Sequence, residues 1–284
     1  MPRIDLRTGA SIYYEEFGSG YPVLLFAPGG MESTIEAWRR APYDPTVELA
    51  DSFRLIAMDQ RNAGRSFGPL EPTGWEEMAA DHIALLDALG IRRAHVMGMC
   101  IGSSYCLRLI AEAPDRVSAA VLQNPIGLKD GNFDSFIGMF ETAARTAERE
   151  GMEAVVVAAL ANDHFQQNPK AGLWANRIAA DEAFRTKVAS MDPAEYARIH
   201  RETAAAFFGR SDFVFSVSRE WLATCQTPLL VLPGNDDFHP PEIAHEIARI
   251  APNAELLEDW RSPEAKARTV EAVRSFLLRH AARQ

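Results

Sequence analysis

Short runs in which nearly every residue is apolar recur along this chain, and they constrain its fold more than any other feature. Tyr21–Ala27, Phe53–Met58, Ala94–Met99, Ala119–Asn124 and Pro228–Leu232 are bounded by turn residues and show no steady polar alternation. Strands covered on both faces read this way. Stretches of helical apolar spacing lie between them. Trp75 to Leu89 (Met78, Ile83, Leu85, Leu86, Leu89) stops at Gly90, and Ser103 to Ala113 ends near Pro114. Pro241 to Ile250 is a third helix; a strand at Ala254–Leu257 and a closing helix at Ala265–His280 follow. Near the start, Arg3–Leu6 and Ser11–Phe17 flank Thr8-Gly9-Ala10 as a hairpin would. The alternation predicts an α/β fold: a mainly parallel twisted sheet with helices on both faces, joined by right-handed crossovers.

The rhythm breaks from about Ile126 to Ser216, where Ser135–Leu160, Ala180–Met191 and Ala194–Phe208 read as helices without a buried strand between them. The expected organisation is a core over residues 1–125 and 217–284, with an all-helical cap inserted over residues 126–216. Ligands of open parallel sheets bind at the carboxyl ends of the strands, where such a cap would sit.

Composition narrows the partners. The 284 residues carry 29 Lys plus Arg against 39 Asp plus Glu, a formal net charge of −10. An acidic surface repels phosphate backbones, so no nucleic-acid partner is expected. No apolar run nears the roughly 20 residues that span a bilayer, and Met1-Pro2-Arg3-Ile4-Asp5 lacks a secretion signal's apolar stretch. The expectation is a cytoplasmic enzyme with a small-molecule substrate and no membrane role; its oligomeric state, a homodimer included, is open. Cys100, Cys106 and Cys225 are an odd set without Cys-x-x-Cys or zinc spacing. Neither disulfides nor a metal site is expected from them.

Gly98-Met99-Cys100-Ile101-Gly102 stands at a strand-to-helix junction. That is the setting of a nucleophile elbow, a tight turn that pushes one strained residue out over the strand ends. At the amino end of the Ser103–Ala113 helix, Cys100 would feel a partial positive charge that favours the thiolate. The bland alternative is a small buried residue on a turn.

Here the chain resembles the α/β-hydrolase superfamily with a cap, over nearly its whole length. Pro28-Gly29-Gly30 stands where the family has its His-Gly-x oxyanion loop, with Pro in place of His. Asp59-Gln60-Arg61-Asn62-Ala63-Gly64-Arg65-Ser66 is similar to the Asp-x-Arg-Gly-x-Gly-x-Ser loop of proline iminopeptidase-like members. Gly234-Asn235-Asp236-Asp237 is similar to the turn that carries the catalytic acid. Cysteine at the elbow resembles dienelactone hydrolase-like enzymes; most members carry Ser. The resemblance implies an oxyanion hole from the N–H of Ile101 and that of Gly30 or Met31.

One part of the pattern is missing. The family's catalytic His lies between the last strand and the last helix, but Leu257-Glu258-Asp259-Trp260-Arg261-Ser262-Pro263-Glu264 contains none. Of the seven histidines, His95 opens the strand before the elbow, His82 lies on a sheet-packing helix, and His245 and His280 read as solvated. His164 and His200 belong to the cap and could overhang the site. His239, in Asp236-Asp237-Phe238-His239-Pro240, is the best candidate for a migrated base, with Asp237 or Asp236 to orient it. A surface histidine bound to a carboxylate is the alternative. Arg61, Arg65 and Ser66 read as loop stabilisers. Glu32 and His164 are candidate substrate contacts, although a solvated loop carboxylate is the favoured reading of Glu32. Cap residues Phe136, Met139, Phe140, Trp174, Phe207 and Phe208 would supply apolar lining.

The chemistry expected is hydrolysis of a small activated acyl compound (an ester, lactone, enol ester or thioester) through an acyl-thioester on Cys100. The alternative is a non-hydrolytic relative, a lyase, an acyltransferase or a small-molecule binding module. No dinucleotide fingerprint or Walker-type loop appears, so no cofactor is expected.

Overall fold

The computed structural model describes residues 3–129, 132–209 and 214–281. The expected insertion, 126–216, encloses residues 130–131 and 210–213, which lie outside the described residues.

The apolar runs become a single sheet. Its strands are β1 (Arg3–Asp5), β2 (Ser11–Phe17), β3 (Tyr21–Phe26), β4 (Phe53–Met58), β5 (Ala94–Met99), β6 (Val117–Gln123), β7 (Leu229–Leu232) and β8 (Ala254–Leu256), in spatial order β1-β2-β4-β3-β5-β6-β7-β8. The hairpin pairs antiparallel, Ile4 opposite Ile12, and β2 joins β4 antiparallel; every pairing from β4 to β8 is parallel. Alternate residues of each strand enter two separate cores. Leu24, Phe26, Ile56, Val96 and Leu122 meet the Trp75–Ala88 and Ile101–Glu112 helices, while Val23, Leu25, Leu55, Met97 and Val121 meet Trp260 and the Lys266–His280 helix. Covering both faces is what removed polar alternation from these runs.

Between β6 and β7 the described residues hold helices and no strand. The stretch expected as one helix over Ser135–Leu160 is two, Asn132–Glu150 and Met152–Ala161. Gly151, at φ 85°, breaks it. A further helix, Ala175–Ala180, was not expected; Glu182–Ala189 and Pro193–Phe208 follow. No helix among the described residues is long and apolar enough to cross a membrane.

The Asp59–Ser66 loop after β4 is held from within, as expected of it. Asp59 accepts the N–H groups of Ile35 (2.9 Å) and Arg65 (3.0 Å), and Ser66 Oγ donates to Asp59 O (2.7 Å). Arg61 grips Asp81 with two bonds of 2.8 and 2.9 Å, and both side chains are buried. Asp81→Ala leaves the Arg61 guanidinium without its buried partner. It is expected to cost about 3–5 kcal/mol of stability, read as a lowered urea midpoint at unchanged slope.

Candidate active site

Cys100 follows β5 and opens the Ile101–Glu112 helix at φ 60° and ψ −125°. A side chain in this left-handed region costs of order 1–3 kcal/mol, and its surroundings hold it there. The Cys100 N–H donates to Gln123 O (2.9 Å), and Ser103 Oγ shares its proton between Gly98 O (3.1 Å) and Gln123 O (2.9 Å). A Cβ at Gly98 would stand 2.0 Å from Gly102 O, and one at Gly102 2.2 Å from Phe26 O. The turn closes because neither is present. The thiol is thereby set at the carboxyl end of the sheet, beside the unpaired N–H groups of a helix start.

On the neighbouring strand, β3 leads through Ala27-Pro28-Gly29 into a 3₁₀ turn, Gly30–Glu32. Gly30, Met31, Cys100 and Ile101 line one cavity of about 430 Å³, its open mouth included. Its opposite wall comes from the helical segment: Phe136, Met139, Phe140, Phe165, Gln166 and Phe208. Of the apolar lining expected, Trp174 and Phe207 are absent from this wall; they line a second, smaller cavity that touches the first through Met31.

His239 lies on the loop after β7, and this loop folds back on itself. A Cβ at Gly234 would meet His239 O at 1.9 Å. Asp236 accepts the His239 N–H (2.9 Å) and takes Nδ1 with both carboxylate oxygens, at 2.7 and 2.9 Å. Asp236, then, and not Asp237, holds the imidazole. Nε2 is buried and has no hydrogen-bond partner among the described residues. The Cys100 thiol stands within interaction range of the ring, short of a formed hydrogen bond, as resting sites often do. Burial pulls the imidazole's pKa down, but Cys100 and Asp236 outweigh it, and the ring titrates above its usual value. Asp236 is itself resisted by burial yet held below the usual carboxylate range by the same histidine.

The segment without a His, between β8 and the last helix, packs inward. Trp260 is buried and donates from Nε1 to Pro233 O (2.8 Å). Arg261 lies over its ring, 5.1 Å from the centroid, and bonds Asn235. An indole thus braces the His239 loop from the side where the resemblance implied a base.

None of the remaining histidines lines the cavity at Cys100. His82 meets Gln60 Oε1 (3.0 Å), and burial drives it down to about 3. Burial also brings His95 to about 3, and His200 to about 4. His200 accepts from Leu173 N–H (3.1 Å) at Nε2 and donates from Nδ1 to Tyr196 O (2.9 Å), a brace inside the helical segment. His245 pairs with Glu258 (2.9 Å) at the surface. His164, a candidate substrate contact, is not among the cavity's lining residues; the turn at Asn162 that captures its N–H (2.9 Å) presents Phe165 and Gln166 instead. Those two were missed in the sequence, where His164 alone was singled out from this segment. Glu32 does line the cavity, but it is no solvated carboxylate. Its oxygens accept the backbone N–H groups of Phe165 (2.9 Å) and Asn176 (3.0 Å).

A model of the alpha/beta hydrolase fold family matches residues 22–259. RutD of Azorhizobium caulinodans, a protein named as a carbamate hydrolase, is 32% identical over 274 residues, spanning 95% of this chain and 94% of that one. Rhodomycin D methylesterase DnrP of Streptomyces peucetius is 34% identical over 119 residues, 40% of this chain and 38% of its own. Among solved structures, the enol-lactonase from Burkholderia xenovorans superposes with a TM-score of 0.62 at 22% identity, covering 98% of this chain and 100% of that chain. A thermophilic esterase from Thermogutta terrifontis gives 0.63 at 22% identity, over 99% and 100%.

Proposed function

The chain belongs to the alpha/beta hydrolase fold family, and from that premise we propose that it hydrolyses neutral, ester-type acyl compounds with Cys100 as nucleophile. The observation that carries the reading is the meeting of an Asp236-held imidazole with a cysteine on a strained elbow. His239 draws the proton from the Cys100 thiol, and the thiolate attacks the substrate carbonyl. The oxyanion rests on the N–H groups of Ile101 and of Gly30 or Met31. Collapse expels the alcohol, which takes its proton from the His239 imidazolium and leaves an acyl-thioester. Water, deprotonated by His239, then releases the acid and restores the thiol. Asp236 fixes the tautomer so that Nε2 is the working nitrogen. The helical segment is the cap that keeps bulk water from this chemistry.

The ester class is supported by the relatives, whose names speak of carbamate hydrolysis and of methyl ester cleavage. A thiolate leaves far more readily than an amine, so esters, lactones and thioesters react ahead of plain amides. The cavity walls are mainly apolar, and among the described residues that line them none is a cation that would pair with a substrate carboxylate. A compact, uncharged acyl group is the substrate that fits. p-Nitrophenyl butyrate is therefore expected to be turned over about tenfold or more faster in kcat/KM than its carboxylate-bearing succinate analogue, a difference of ~1.4 kcal/mol.

The test is intact mass during turnover of p-nitrophenyl acetate. One acetyl adduct, absent after Cys100 alkylation, together with nitrophenol release beyond one equivalent, supports the reading. An adduct without turnover would make the protein an acyl carrier or transferase, and no adduct with no turnover would leave only a binding fold.

A further inference from the structure

We propose that Glu32 is a latch between oxyanion loop and cap, a positioning residue that fixes the Gly30 amide by tying its turn to the helical segment above it. The proposal rests on the reading of Gly30 as an oxyanion donor.

The base of the loop is closed just past the Gly30–Glu32 turn, where Ser33 Oγ donates to Ala27 O (2.6 Å) and Gln60 N–H to Ser33 O (2.9 Å). Within the turn, one backbone bond is formed, Glu32 N–H to Gly29 O at 3.2 Å. Its upper side is tied to the cap. Glu32 Oε2 accepts from Phe165 N–H (2.9 Å), Oε1 from Asn176 N–H (3.0 Å), and the Glu32 main-chain oxygen from Asn176 Nδ2 (3.3 Å). The partners lie 133 and 144 residues along the chain. Both are groups that need an acceptor. Asn176 lies in the first turn of the Ala175–Ala180 helix, which has no side-chain cap of its own at Trp174, and Phe165 sits on an irregular turn. One carboxylate answers both, so two separate parts of the cap meet at one residue of the loop.

The same contacts set the cavity. Phe165 packs edge-on against Phe140, 5.2 Å between centroids, and both are wall residues. Gln166 Nε2 lies 3.6 Å from where a Gly30 Cβ would stand. Freeing Glu32 would therefore loosen the Gly30 amide and the Phe165–Gln166 wall together. The carboxyl is held against its own desolvation. Burial, with Asp163 nearby, outweighs the N–H groups that favour the carboxylate and leaves it raised to about 8. A solvated carboxylate would show none of this.

The experiment compares wild type, Glu32→Gln and Glu32→Ala. Amide hydrogen exchange by mass spectrometry follows peptides spanning 163–168 and 174–178. Steady-state hydrolysis of p-nitrophenyl acetate and the iodoacetamide alkylation rate of Cys100 are measured in parallel. Alkylation makes no oxyanion, so it reports the nucleophile alone. The latch predicts faster exchange at both cap peptides and kcat lowered about 10- to 100-fold in Glu32→Ala, with KM and alkylation within about threefold. Glu32→Gln, which keeps one acceptor oxygen, should fall between. Unchanged exchange overturns the proposal. So does a kcat loss matched by an equal loss of alkylation, because the whole site would then have collapsed. If wild type shows no ester turnover at all, it is the hydrolase reading that fails. The latch is then judged by exchange and by affinity for a trifluoromethyl ketone, a ligand that forms an oxyanion without being turned over; unchanged affinity in Glu32→Ala would overturn it.

Discussion

Cys100→Ala is expected to lower kcat/KM for p-nitrophenyl acetate by about three orders of magnitude or more, while circular dichroism and the thermal midpoint stay close to wild type. The size of the loss follows from what remains. Without the thiol the cavity, the Ile101 N–H and the His239–Asp236 pair can still bind and polarise an ester, but water must attack directly. The fold is spared because alanine keeps the Cβ and loses a sulfur at a position that lines a cavity. The elbow's closure depends on Gly98, Gly102 and Ser103, which are untouched. Cys100→Ser separates the two ingredients of nucleophilicity. A hydroxyl ionises far less readily than a thiol, yet it would inherit the same imidazole. Activity well above Cys100→Ala, and dependent on His239, would mean that the base rather than the thiolate's intrinsic reactivity carries much of the rate. Full activity in Cys100→Ala would remove this residue from the mechanism.

The parts of the molecule that were legible in the sequence are those whose physics is local. Val23–Phe26 and Ala119–Leu122 are buried along their length because the sheet is covered on both sides, and that leaves an unbroken apolar run. The elbow was readable because close backbone approach admits only glycine on either side of Cys100. The break at Gly151 was not. Glycine within a helical pattern costs only about 1 kcal/mol, too little to distinguish a stop from a tolerated residue. Asp236 and Asp237 are the same residue type in adjacent places, and the choice between them is made by the fold-back of the His239 loop. The surroundings of Glu32 were illegible for a different reason. They are made by residues more than a hundred positions away, through backbone N–H groups that any sequence would carry. Trp260 stood in the sequence only as part of a connection that holds no histidine. That it braces the loop bearing His239 depends on β7 and β8 being neighbours, which brings Pro233 O to its Nε1.

His239→Ala is expected to cost about 10²- to 10⁴-fold in kcat/KM and to change the shape of the pH profile as well as its height. The sign follows from the role. As a base the imidazole works when unprotonated, so the wild-type rate is low on the acid side and rises as pH passes the pKa of the ring. Burial alone would move that limb below pH 6.5, but Cys100 and Asp236 outweigh it and raise the ring above its ordinary value. The acid limb of kcat/KM therefore lies above pH 6.5. Removing Asp236 takes away one of the two groups that hold the proton on the ring. Asp236→Asn should lower the rate and move the limb to the acid side, whereas Asp237→Asn should leave both nearly unchanged, because Asp237 makes neither bond to the imidazole. In His239→Ala the limb should vanish, leaving a slow rate governed by the thiol. Iodoacetamide alkylation of Cys100 supplies the independent check, since it needs a thiolate but neither oxyanion nor deacylating water. At neutral pH its rate should fall in His239→Ala. A rate that stays put, with ester turnover unimpaired, would show that the imidazole near Cys100 is a neighbour and not its base.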